Sequence, residues 1–203
     1  MHEVARLSPP VLKLEVLADI ACGIARVEPL WRATAHHRPG ERRPVRLLAT
    51  EAYEVWVIGW TEGQGADMHD HGDSAGVLVV LEGSLTEEVP TADGPRTVGL
   101  LAGEVHPLPV GHVHGVSNRG AAPATSIHVY SPPLRTMRRY DPVTLTLLDE
   151  EPVVTEAAAL PPALAAVFSA QWGRSGPDSG GAGYLRRWSP SRLLHPAGRG
   201  SNR

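Results

Sequence analysis

Three histidines of this chain stand inside two runs of fixed spacing, and that spacing limits the fold more than any other feature. The first run is Gly63, five residues, His69-Asp70-His71, four residues, Gly76, six residues and Gly83. The second is Gly103, five residues, Pro109, one residue, Gly111, two residues, His114, three residues and Asn118. Side chains alternate between the faces of a strand, so His69 and His71 project to one side with Cα atoms ~6–7 Å apart. Two imidazoles so placed can meet on one ion at about 2.0–2.1 Å each. A neighbouring strand must supply His114, and the turn at Pro109 and Gly111 delivers it, because glycine accepts backbone angles that other residues avoid. His112 competes for the third position; Asn118, at its fixed distance from His114, favours His114.

The surrounding pattern is that of an all-β domain. Over 46–130 the runs YEVWVIGW, VLVVLEG, LTEEV, RTVGLL and TSIHVYS alternate with glycine turns. Such spacing predicts an antiparallel jelly-roll β-barrel. Before it, Ser8-Pro9-Pro10 opens a stretch whose Val11, Leu12, Leu14, Val16, Leu17 and Ile20 predict an amphipathic helix packed on the barrel. Residues 33–44, with two prolines, Gly40 and several basic residues, read as a connection. The expected organisation is a helical extension over 1–44, the barrel domain over 45–150, and an Ala/Pro/Gly-rich, flexible tail over 151–203. Beyond Gln171 six arginines face one acid, Asp178, so the tail carries +5 of a net charge of −3. A short polar tail of this kind is expected to be disordered.

Composition removes several function classes. The net charge of −3 gives no basic footprint for nucleic acid. Charges at Glu3, Arg6, Lys13, Glu15 and Asp19 interrupt the N-terminal region, so neither a secretory apolar core nor a membrane span is expected there. A single cysteine, Cys22, rules out an internal disulfide framework. A cytoplasmic monomer is the expectation.

A second constellation follows the third histidine. Ser126, His128 and Tyr130 alternate in SIHVYSPP and so share one face of one strand. On the barrel's interior face they would line the metal cavity, where a serine-oriented histidine can hold the tyrosine hydroxyl and manage protons. On an exterior face they would be a polar stripe.

The two spaced runs match the two-part cupin pattern, except that Gly76 stands where most cupins carry a metal-binding glutamate. HDHGDSAG, VLEGSLTE, HGVSN and SIHVYSPP together resemble the cysteine dioxygenase family of thiol dioxygenases, over roughly 46–140. The resemblance implies a mononuclear non-haem Fe(II) enzyme that uses dioxygen to convert a thiol to a sulfinic acid. It implies His69, His71 and His114 as iron ligands and Ser126, His128 and Tyr130 as the triad beside them. Some members, chiefly eukaryotic, join a cysteine to the tyrosine through a thioether. The matching position here is Gly76, so that link cannot form. The family's carboxylate-binding arginine lies shortly before the strand preceding the HxH motif, which points to Arg46, with Arg43 as its competitor.

The chemistry of the residues agrees with this resemblance. Three neutral imidazoles leave a divalent ion's charge uncompensated, which favours an anionic thiolate. An octahedral ion with three protein ligands keeps positions for an aminothiol and dioxygen, bringing both reactants together. The expected activity is therefore L-cysteine dioxygenase. A 3-mercaptopropionate dioxygenase is the nearest alternative and a non-catalytic, metal-binding sensor cupin the more distant one. The expected partners are a small thiol and dioxygen.

Overall fold

A computed structural model describes residues 10–153. The expected helix start at Ser8 and Pro9, and the tail from 154 onward, lie outside the described residues.

Among the described residues, eleven strands form two antiparallel sheets. In chain order they are β1 Val45–Ala49, β2 Glu54–Trp60, β3 Gly65–Asp70, β4 Ala75–Glu82, β5 Ser84–Val89, β6 Arg96–Leu101, β7 Val105–Leu108, β8 His114–Ser117, β9 Ala124–Ser131, β10 Thr136–Tyr140 and β11 Leu147–Pro152. One sheet runs β1-β2-β9-β4-β7 and the other β11-β10-β3-β8-β5-β6. Strands distant in sequence are neighbours in both sheets, as the jelly roll requires. The barrel extends past its expected end: Glu151 and Pro152, assigned to the tail by sequence, close the hairpin of β10 and β11.

The first sheet is covered on both faces, which is why its sequence reads as unbroken apolar runs. Val55, Val57, Val77, Val79, Ile127 and Val129 form one core with Leu17, Ala18, Ala21, Leu30 and Trp31 of the helices α1 Leu14–Ala25 and α2 Glu28–Arg32. The alternate residues Ile58, Trp60, Leu78, Val80 and Tyr130 face inward, onto Leu85, Leu100, Leu108 and Val116. Fully burying a Leu or Val side chain contributes about 1.5–3 kcal/mol, so this outer helical layer is a substantial part of the fold.

The helix differs in detail from the expected one. It starts at Leu14 and its buried face is Leu17, Ala18 and Ala21, while Val11 and Val16 are exposed. The small Ala18 and Ala21 let α1 lie close against β4 and β9, a contact that counting large apolar residues does not find.

The connection over 33–44 is held along its length. His37 Nε2 lies 3.1 Å from the Ala124 carbonyl and 3.0 Å from Thr125 Oγ1, and Gln64 Nε2 donates to the Arg38 carbonyl at 2.8 Å. A Cβ on Gly59 would meet the His36 carbonyl oxygen at 2.3 Å, so β2 needs glycine there for the connection to pass. The consequence is that residues 42–44 reach the mouth of the barrel.

Candidate metal centre

His69 on β3 and His114 at the start of β8 are direct cross-strand partners. His71 follows β3 immediately and joins them, so the ligand nitrogens of the three residues lie within 4.8 Å of one another. Gly111 turns with φ +76°, a left-handed angle, and directs the chain toward His114. The loop between His71 and β4 is held by Asp70, whose side chain points away from the cluster. Its carboxylate accepts from Arg138 Nε at 3.0 Å, Tyr140 Oη at 2.7 Å and the Gly72 N–H at 2.9 Å.

All three histidines are buried, and burial first of all pushes each below the ordinary imidazole range. His69 is lowered to about 4, with His114 as the next cause; His71 is well below its usual value, with His69 as the next cause. His114 is lowered by burial despite the opposing effect of Glu87. Neutral imidazoles at neutral pH present free lone pairs. His69 Nδ1 donates to the Asp67 carbonyl at 2.6 Å, leaving its Nε2 available. The Nε2 of His114 is buried and has no hydrogen-bond partner among the described residues. An orphaned buried nitrogen beside two other imidazoles is the signature of a site built to take a cation, and the donor set fits one. Sharing His114 with this cluster, Glu87, His112 and His114 also converge; there the carboxylate already accepts hydrogen bonds from both imidazoles.

Ser126, His128 and Tyr130 face the barrel interior and form one connected line. Trp60 Nε1 donates to Ser126 Oγ at 2.9 Å, Ser126 Oγ is 2.9 Å from His128 Nε2, His128 Nδ1 is 3.0 Å from Tyr130 Oη, and Tyr130 Oη is 3.1 Å from His71 Nε2. Indole is a donor only, and that fixes the direction of the rest. Ser126 is fully buried and accepts from Trp60, so its own proton is satisfied only by donation to His128 Nε2. His128 then carries its proton on Nδ1 and donates it to the Tyr130 oxygen. The phenolic proton is left to point at His71 and the cavity. Burial first of all lowers His128 to about 3 and raises Tyr130 well above its ordinary value, so neither ionises near neutrality.

The cavity in front of this line has a volume of about 190 Å³. Besides the three histidines, His128 and Tyr130, its wall includes Arg42, Trp56, Trp60 and Met137. The expected arginine is not on that wall. Arg46 Nη1 lies 3.4 Å from Oε2 of the fully buried Glu54, and Arg43 is exposed near Glu41. Arg42 is on it, with its guanidinium carbon 4.9 Å from the centroid of the Trp60 ring. Among the described residues no carboxylate lies within ion-pair distance of it. Burial, first of all, lowers its affinity for the proton. Sequence reasoning missed Arg42 because it sits in a connection, where no periodicity says which way a side chain points. It also missed Glu87, one strand away from the histidine that it contacts, and Trp60, which reads as ordinary core.

The chain matches the family model of cysteine dioxygenase type I over residues 28–143, more than half its length. It is 30% identical over 102 residues to cysteine dioxygenase type 1 of Danio rerio and 28% identical over 99 residues to that of Rattus norvegicus, in each case over 44% of this chain and 50% of the relative. The chain thus spans about half the length of the relatives it matches. Among solved structures, a protein of Thermus thermophilus superposes with a TM-score of 0.46 at 25% identity, covering 50% of this chain and 93% of that one. An oxalate oxidase superposes with a TM-score of 0.43 at 17% identity, covering 49% of this chain and 56% of the other. With a family match over most of the barrel, its three inward histidines and the Ser-His-Tyr line behind them, the chain belongs to the cysteine dioxygenase type I family.

Proposed function

We propose that this chain is an iron-dependent thiol dioxygenase that converts L-cysteine to cysteine sulfinic acid, with His69, His71 and His114 holding iron(II). Histidines alone do not name a metal; membership of the family is what supports iron. When bound, iron(II) supplies the place where thiolate and dioxygen meet and the electrons that make dioxygen reactive. Both oxygen atoms end on sulfur, so thiol plus dioxygen balances to sulfinic acid with no further reductant.

The observation that carries this reading is the directional line from Trp60 to Tyr130, which ends 3.1 Å from His71. A site that only stores or senses a metal has no use for an oriented phenolic donor. Tyr130 presents its proton to a reactant standing beside His71, and His128 holds the phenol oxygen at the required place. Arg42 faces the same cavity with a positive charge that a substrate carboxylate can answer. The apolar wall formed by Trp56, Ile58, Leu134 and Met137 keeps competing water away from both.

Anaerobically purified, iron-loaded protein tests the reading when offered cysteine, cysteamine and 3-mercaptopropionate separately. Oxygen uptake and sulfinate should match one to one with cysteine, at a rate above that of the other two. Preference for 3-mercaptopropionate would reassign the substrate within the same chemistry. Iron bound with no oxygen uptake on any thiol would leave a non-catalytic cupin.

A further inference from the structure

We propose that Glu87 is a positioning residue for the metal centre: its carboxylate fixes the tautomer of His114 and places one full negative charge behind that single ligand. The inference rests on the reading that the three histidines hold a metal, and the experiment below separates the two.

Glu87 lies on β5, opposite Val116 of β8, so its side chain meets the same interior face as His114 two residues earlier. Its Oε1 accepts the His114 Nδ1 proton at 2.7 Å, and the same oxygen is 2.9 Å from His112 Nε2. The His114 side chain is 1% exposed and that of Glu87 9%, so water does little to screen the contact. With Nδ1 committed to the carboxylate, the lone pair of the imidazole is on Nε2, the nitrogen left without a partner beside His69 and His71.

The other two ligands are supported differently. His69 is anchored to a neutral peptide carbonyl, that of Asp67. For His71 the contact is on the cavity side, its Nε2 lying 3.1 Å from the Tyr130 hydroxyl. Among the described residues, only His114 of the three has a carboxylate within hydrogen-bond distance. A carboxylate behind an imidazole makes it a stronger electron donor and restricts its rotation, and such partners typically contribute 10–100-fold in metal affinity. Gly76 offers no donor, and Glu87 places one negative charge at the centre from behind a histidine. A bound ion would feel that charge without the carboxylate itself being a ligand.

The competing assignment for the same residues is a second cation held by Glu87, His112 and His114. Both hydrogen-bond distances above are those of ordinary contacts between an imidazole and a carboxylate, so the geometry favours the positioning role.

The test is anaerobic titration of the metal-free full-length chain with iron(II) and, as a spectroscopic probe, cobalt(II), in the parent and in Glu87→Gln and His112→Ala. The parent should bind one equivalent. Glu87→Gln, which keeps an acceptor but removes the charge, should still bind one equivalent with affinity lower by roughly 10–100-fold, and its bound iron should have a higher reduction potential. His112→Ala should stay within about threefold of the parent, because His114 retains the carboxylate. A purely structural role would not move the potential. Should Glu87→Gln fail to fold, nitrogen-15 NMR of the zinc-loaded parent decides: His114 must carry a strongly deshielded proton on Nδ1. A metal on that nitrogen, parent-like affinity and potential in Glu87→Gln, or a second equivalent lost in either variant overturns the proposal. A parent chain that binds no metal overturns the dioxygenase reading as well.

Discussion

Gly76 lies opposite the ring of Tyr130 in the ladder between β4 and β9, and a Cβ placed on Gly76 would come within 2.6 Å of Tyr130 Cδ1 and 2.9 Å of Cε1. The ring is buried and cannot swing away cheaply. Glycine at this position is therefore what lets Tyr130 lie where its hydroxyl reaches both His128 and His71. Gly76→Ala should force the ring outward at a cost of about 1–3 kcal/mol, visible as a lower midpoint of thermal unfolding. It should also cut sulfinate formation more than metal binding, since the atoms nearest the new methyl belong to Tyr130 and the Val129 carbonyl. Parent-like stability and turnover would show that the ring has slack.

The metal centre makes a prediction by residue. Alanine at His69, His71 or His114 should abolish stoichiometric metal binding while circular dichroism still reports the barrel, because each is one of the three donors proposed to hold the ion. His112→Ala should retain the metal. Loss of iron in His112→Ala together with retention in His114→Ala would transfer the third position to His112.

Two nearby arginines should respond in opposite ways. Arg42 faces the cavity, so Arg42→Ala should raise the KM for cysteine about tenfold or more and affect cysteamine, which has no carboxylate, much less. Arg46 answers the fully buried Glu54, whose other oxygen accepts from the Leu134 N–H at 2.9 Å. Arg46→Ala strands that carboxylate and should lower stability by about 3 kcal/mol. Chemical denaturation and substrate kinetics on the two variants separate the roles. If Arg46→Ala instead shifts KM for cysteine alone, the carboxylate site belongs to Arg46.

What the sequence made legible follows from periodicity. His69 and His114 are visible because strand alternation and a glycine turn place them, and Ser126, His128 and Tyr130 because three polar residues at every second position of an apolar strand must share a face. Arg42 and Glu87 are different. Their roles depend on which strands become neighbours in space and on the path of a connection, and neither is written in the local pattern. The helix was legible as an element and in most of its face, since Leu12, Leu14, Leu17 and Ile20 pack on the core; Ala18 and Ala21 were not, because they contribute by letting backbones approach rather than by size. The second hairpin strand was missed since LLDEEP lies at a sheet edge and reads as an acidic surface stretch.

The direction of the line behind the cavity gives the most discriminating test. Trp60 can only donate, and its bond to Ser126 makes the serine donate to His128, which in turn leaves the Tyr130 proton facing the cavity. Tyr130→Phe removes that proton and keeps the ring. It should bind iron and cysteine as the parent does but yield less sulfinate per dioxygen consumed, because the reacting oxygen is no longer held. Trp60→Phe keeps Ser126, His128 and Tyr130 and removes the indole donor that constrains their direction, together with part of the ring over which Arg42 lies. Ser126 can then turn its hydroxyl elsewhere, and Tyr130 can spend its proton on His128. The expected result is a coupling defect of the same kind, smaller than that of Tyr130→Phe, with the metal retained. Measured together, oxygen uptake and sulfinate yield decide the matter: full coupling in Tyr130→Phe would reduce the stripe to barrel packing. Full coupling in Trp60→Phe alone would show that His128 keeps its tautomer without the indole.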